Sequence, residues 1–334
     1  MSLRAANLQD SFTDPAHGLD RASSTPEPTS VCHEELWLLG QPPLWRFLDF
    51  VEHAAVGGVH LDRAGLVGEW EAANDHYQEL EHSEAGIANS AVPRDMDAEL
   101  APLIREVVAH PHFRHTFDTV PTTFGMVELD RLIVRQKHVT QSFVDGLVRR
   151  IACCPDRETL FQICLPLDAP KPPVQICKVG PQRYVFRCES TDLRHHQTTV
   201  LEPRQVPGYD SFGAVAGLIA VVVGFGHDFL SVIRVGNRLL LDNGYHRACA
   251  LRALGVTHVP CVIQTISRLD ELQMTVNARV AEDAGLYFES ARPPLLKDFF
   301  DPKIRKLLPV RAQTHLVEVH VEVKHLVEEP METW

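Results

Sequence analysis

The chain has 334 residues, enough for about two folded units at the usual ~150 residues each. With 45% hydrophobic and 23% charged residues, a disordered or fibrous protein is excluded for most of the length. The 32 basic residues against 44 acidic ones give a net charge of −12, which excludes a whole-molecule polyanion binder, because contacts to nucleic-acid phosphates need dense Lys and Arg.

Residues 1–30 are rich in Ser, Thr, Pro, Asp and Ala and carry almost no apolar periodicity, so a disordered leader is expected there. That stretch also lacks the apolar centre of a secretory signal. The eight cysteines are scattered without a C-x-x-C pair, and reduced thiols in a cytoplasmic protein follow. Apolar residues at helical spacing over 35–51, interrupted by Pro42-Pro43, predict two helices with the Pro pair opening the second. Residues 66–80 and 98–108 predict two more. Residues 31–120 therefore read as a mostly helical region, and between His60 and Glu106 it holds eleven acids against three Arg. Such a surface suits a protein partner.

After Pro121 the pattern changes. Residues 127–134 and 159–167 are expected as strands, 183–188 alternates more clearly, and 197–202 is a short extended run; a Pro-rich loop spans 166–173. The longest uncharged apolar run, 212–226, has fifteen residues and four Gly. It is short of the ~20 needed to span a membrane. Residues 211–223 are expected as a buried apolar helix, 229–235 as a strand, Gly236-Asn237 as a tight turn and 238–241 as the return strand. A helix over 245–254, stopped by Gly255, and a buried strand over 259–264 follow. Near the end, Val317, Val319, Val321 and Val323 alternate with charged residues and His, the period of a half-buried edge strand. The tail after 326 is acidic and expected to be loose.

The chemistry concentrates where the return strand meets the helix, at Asp242-Asn243-Gly244-Tyr245-His246-Arg247. A helix opening leaves backbone N–H groups unpaired, and its dipole favours an anion. Gly244 has no Cβ to hold a phosphate off, and His246 and Arg247 add a tunable donor and a permanent cation. Basic residues here run against the usual preference for acids at this end, which a bound anion explains. The same six residues also read as a capped helix whose Arg pairs with a carboxylate such as Asp242 or Glu202, and the sequence leaves both open.

The order of elements from the apolar run through V-I-R-V, the turn and L-L-L-D-N-G-Y-H-R-A-C-A-L-R-A-L-G-V-T-H-V-P-C-V-I resembles the ParB/sulfiredoxin-like superfamily. There a G-x-x-R or G-x-H-R motif marks the strand-to-helix junction; Gly244, His246 and Arg247 match it. The resemblance implies an α+β fold, a small mixed sheet with helices over residues 121–268 (core motif 211–264), preceded by the acidic helical region and followed by an extension, 269–334, with a terminal strand. It also implies a bound nucleoside triphosphate, CTP or ATP with Mg²⁺, its phosphates at Asn243, Gly244, Tyr245, His246 and Arg247. The nucleophilic Cys of sulfiredoxins is replaced by Tyr245, which speaks against sulfinic acid reduction. The downstream region shows no recognition helix and no basic surplus, which speaks against DNA as a partner. Free serine kinases of the superfamily carry a D-G-H-H-R-like version and an acidic general base. Glu202 is the candidate base here, with Arg204 as a second phosphate contact and His246 assisting transfer. The implied activity is an NTPase or small-molecule phosphotransferase; the alternative is a non-catalytic, nucleotide-gated or structural interaction module.

His110-Pro-His112-x-x-His115 carries no metal reading, because Pro111 breaks the helical spacing and no Cys is near; a solvated helix-end cluster is expected. No metal site is assigned. No G-x-x-x-x-G-K-[ST], G-x-S-x-G or H-E-x-x-H pattern occurs.

Overall fold

The computed structural model describes residues 32–41, 43–190, 192–206, 215–268, 271, 283–312 and 314–325. The expected leader, residues 211–214 of the expected apolar helix, and the acidic tail lie outside them.

The first described element is a strand, β1 (Cys32–Leu38), where a helix was expected. Its apolar residues fit either period, and strands distant in sequence decide the matter. Helix α1 (Leu44–Ala54) opens directly after Pro43 and buries Phe47, Leu48 and Val51. Helix α2 (Arg63–Ser83) is capped by the Asp62 carboxylate, which accepts from the Ala64 amide. Helix α3 (Ala101–Ala109) stops at His110, which then caps α4 (Pro111–Thr116) through Nδ1 and the His112 amide. The His cluster thus has a local structural use.

Next come β2 (Thr122–Glu128), β3 (Ile133–Val134) and β4 (His138–Thr140), then α5 (Gln141–Ile151). The expected strand over 159–167 is instead a helix, α6 (Arg157–Cys164). Asp156 supplies the reason: its carboxylate accepts from the Thr159 amide at 2.8 Å and caps the helix. Strands β5 (Gln175–Gly180), β6 (Arg183–Cys188) and β7 (Leu193–Leu201) follow. The expected apolar helix over 211–223 is also corrected, since its described part enters β8 (Leu218–Phe225). A uniformly apolar run has no helical period to enforce, and three consecutive Val favour extended backbone.

The expected succession then holds: β9 (Ser231–Val235), β10 (Arg238–Asn243), α7 (Tyr245–Ala253) and β11 (His258–Ile266). A short helix α8 (Ala284–Phe288), β12 (Arg305–Arg311) and β13 (His315–His320) complete the described chain. The fold is mixed α+β with several small sheets. Among the described residues no helix is long and apolar enough to cross a membrane.

The central sheet has the order β2-β11-β9-β10-β3, with β11–β9 and β10–β3 parallel and the other pairs antiparallel. Both its faces are covered. Val232, Leu239, Leu241 and Val262 pack with α5, α6 and α7, whereas Ile233 and Leu240 meet Tyr287 and Leu295 on the other side. Such double burial explains the unbroken apolar runs. A second sheet, β12-β1-β4, is antiparallel; β1 thus ties the acidic helical region to the C-terminal extension. Of the terminal Val alternation only Val317 and Val319 lie in β13, an edge of the sheet β13-β6-β5, while Val321 and Val323 follow its end; β7 and β8 form a two-stranded arm.

Candidate functional site

The junction between β10 and α7 is built by local chemistry. A bulge between Leu241 and Asn243 ends the β10 ladder. Asn243 Nδ2 donates to the carbonyls of His227 (2.7 Å) and Phe229 (3.1 Å), pinning the chain that enters β9. Gly244 then takes φ +98°, a left-handed conformation, and a Cβ there would lie 3.0 Å from Leu230 Cγ. Glycine is needed for both reasons. The side a Cβ would occupy is already filled by Leu230.

The three residues that follow face protein. Tyr245 is buried; its hydroxyl donates to the Leu241 carbonyl (2.6 Å) and accepts from the Arg135 amide (3.2 Å). His246 Nε2 accepts from the Thr140 amide at 3.1 Å, which fixes the neutral tautomer with its proton on Nδ1. Burial pushes its pKa down to about 4, so it is uncharged at neutral pH. Arg247 Nη1 donates to the carbonyls of Ile163 (3.1 Å) and Cys164 (3.2 Å), the last two residues of α6. A cation there satisfies orphan carbonyls and meets the negative end of the dipole. Cys249 is buried, and burial pushes its thiol up to about 12. That is no environment for a nucleophile.

Glu202 and Arg204 are not brought to this junction. They form an exposed ion pair with each other, and the Glu202 amide donates to Gln205 Oε1 at 2.7 Å. Glu202 follows the last residue of β7, ~26 Å of extended strand from Leu193. The base of the arm is the end near the junction: Gly226 N donates to Asp192 Oδ2 at 3.0 Å, one residue before His227.

A different segment lies against the opening of α7. Residues 135–140 connect β3 to α5 through β4. Besides its amide contact to Tyr245, Arg135 points Nη2 toward the carbonyl and Oδ1 of Asp242 at 3.4 and 3.5 Å, while its Nε is enclosed without a partner. Burial raises the Asp242 carboxyl above the ordinary range, against the pull of Arg135. The Lys137 ammonium is also enclosed and meets no hydrogen-bond partner. Burial pushes its pKa down to about 8, with the charges of Asp298 and Asp283 opposing and Arg46 assisting. Beyond it, Glu35 Oε2 lies 2.9 Å from His138 Nδ1 and Oε1 accepts from the Thr140 hydroxyl at 2.7 Å. No sequence motif marks this segment. Its signal is the density of Arg131, Arg135, Lys137 and His138 directly after an apolar stretch.

A buried ammonium without a hydrogen-bond partner is costly, and the charges of Asp298 and Asp283 offset that cost only in part. Among the described residues no group of three or more His, Cys, Asp or Glu is arranged to hold a metal ion. No family model, curated protein or solved structure matches this chain.

Proposed function

We propose that the protein binds a nucleoside triphosphate, CTP or ATP, in the manner of the ParB/sulfiredoxin-like superfamily, with its phosphates beside the opening of α7. The observation that carries this reading is that residues 135–140 lie against the opening of α7 and that two of their cations, Arg135 at Nε and Lys137 at Nζ, keep enclosed nitrogens without hydrogen-bond partners. The amides opening α7 favour negative charge, and residues 135–137 supply the cations. In this reading His246 and Arg247 shape the site without touching the ligand. A Mg²⁺ ion carried in with the triphosphate fits best on phosphate oxygens, since burial makes Asp242 a reluctant anion.

A binding module is favoured over a phosphotransferase, because Glu202 stands away from the junction and is already paired with Arg204. The test is a melting-temperature screen of CTP, ATP, GTP and UTP with Mg²⁺. A ligand at a hundred times its Kd adds ~2.7 kcal/mol, which at ~2–4 °C per kcal/mol means a rise of about 5–10 °C. The rise is expected to vanish in Lys137→Met and Arg135→Ala. No rise with any nucleotide, or one that persists in both variants, overturns the proposal.

A further inference from the structure

Helices α5 and α6 are joined by Ala152-Cys153-Cys154-Pro155-Asp156, and the turn that opens this connection is an uncommon one. The Ala152 amide donates to the Val148 carbonyl at 2.8 Å and closes α5. The Cys153 amide then donates at 2.8 Å to the Ile151 carbonyl, only two residues back. With Ala152 at φ 64° and ψ −35°, this is a γ-turn of the rarer, strained hand. Among the described residues Ala152 is the one non-glycine at positive φ.

The turn delivers two adjacent thiols to water, since Cys153 and Cys154 are both exposed. On the far side Pro155 leads into the Asp156 cap of α6, so the pair stands on a short bridge between two anchored helix ends. Other described cysteines are placed differently. Cys164, Cys188, Cys249 and Cys261 are buried, and Cys177 is exposed on β5 without a neighbouring cysteine.

Adjacency decides the chemistry. Consecutive Cα atoms are ~3.8 Å apart, closer than the ~4.4 Å at which ordinary disulfides begin. A bond between these sulfurs therefore closes a small, strained ring through the single peptide between them. Strained and exposed disulfides are the labile ones, easily made and easily reversed. Among the described residues the Cys154 amide donates to nothing, so turning that peptide breaks no hydrogen bond of its own.

We propose that Cys153 and Cys154 form a reversible modification site whose substrate is a low-molecular-weight disulfide. One of the two sulfurs, as thiolate, attacks a sulfur of that disulfide, breaks its S–S bond and expels one small thiolate. The neighbouring sulfur then attacks the mixed disulfide and expels the second. The two cysteines are oxidised and the small disulfide is reduced; the two protons end on the two released thiols. Excess small thiol runs the same steps backward.

The test treats the full chain with oxidised glutathione, blocks remaining thiols with iodoacetamide, and weighs the tryptic peptide 151–157, which holds only these two cysteines. That peptide is expected to lose two hydrogens, carry neither acetamide nor glutathione, and return to two blockable thiols after reduced glutathione. Cys153→Ser and Cys154→Ser, both at exposed positions, are each expected to stop at the mixed disulfide, as Cys177 does in the wild type. The proposal is overturned by any of three results in the wild type. These are two thiols that stay blockable, a product that stops at the glutathione adduct, or a disulfide that joins two chains.

Discussion

The two basic pairs near the opening of α7 differ in what they touch. His246 and Arg247 belong to the motif, yet both are spent on the protein itself, one on the Thr140 amide and the other on the final carbonyls of α6. Arg135 and Lys137 lie in an unmarked connection, and both keep enclosed nitrogens without partners. A motif can therefore report architecture while the reactive surplus sits in a neighbouring segment. Satisfied groups hold the fold; unsatisfied ones are where a ligand gains most.

Acid gives the largest expected contrast. His246 and His227 are both half-buried, and desolvation holds them down to about 4, so the folded chain binds fewer protons than the unfolded chain between pH 6.5 and 4. Stability is complete above about pH 6.5 and falls as the pH drops toward 4, by up to ~3 kcal/mol for each imidazole. Urea midpoints across that window check it. His246→Asn should flatten the curve by about half. Arg247→Ala strips two carbonyls of a charged donor, and a loss of ~3 kcal/mol is expected in urea denaturation at neutral pH. If Arg247 instead served only a ligand, that loss would be absent and the contrast would fail. Gly244→Ala must hold a Cβ at positive φ against Leu230, for a loss of ~2 kcal/mol on the same assay. The smallest effect has the opposite sign. Lys137→Met removes an unpaired buried charge and is expected to stabilise the ligand-free protein by ~1 kcal/mol in its thermal melt. A destabilised Lys137→Met would show that the ammonium has a structural partner.

What the sequence disclosed follows the same division. The stretch from β9 to β11 was legible because each element announces itself locally: Gly236-Asn237 turns the chain, Gly244 and Gly255 bracket α7, and the apolar runs end where the strands do. Residues 35–38 were misread because β1 is chosen by β12 and β4, which lie far away in sequence. Residues 159–164 form a helix rather than the expected strand because the Asp156 cap decides between two periods that their apolar residues fit equally. The role of residues 135–137 was not legible, since their meeting with Tyr245 depends on the parallel pairing of β3 with β10, more than a hundred residues on. Glu202 and Arg204 lie near the apolar run in sequence, but the pairing of β7 with β8 carries them to the far end of the arm, where they pair with each other.

The β1–β12 pairing gives the molecule a clasp. Cys32 sits opposite Arg311 and Leu38 opposite Arg305, so the described chain begins and nearly finishes in one ladder. Fastening ends so far apart costs only the slowly growing logarithm of the loop they enclose, yet trimming either end undoes it. A protein shortened before Arg305 would leave the Trp37 side of β1 bare, and its neighbours Phe47 and Leu48 in the same apolar cluster would lose their cover with it.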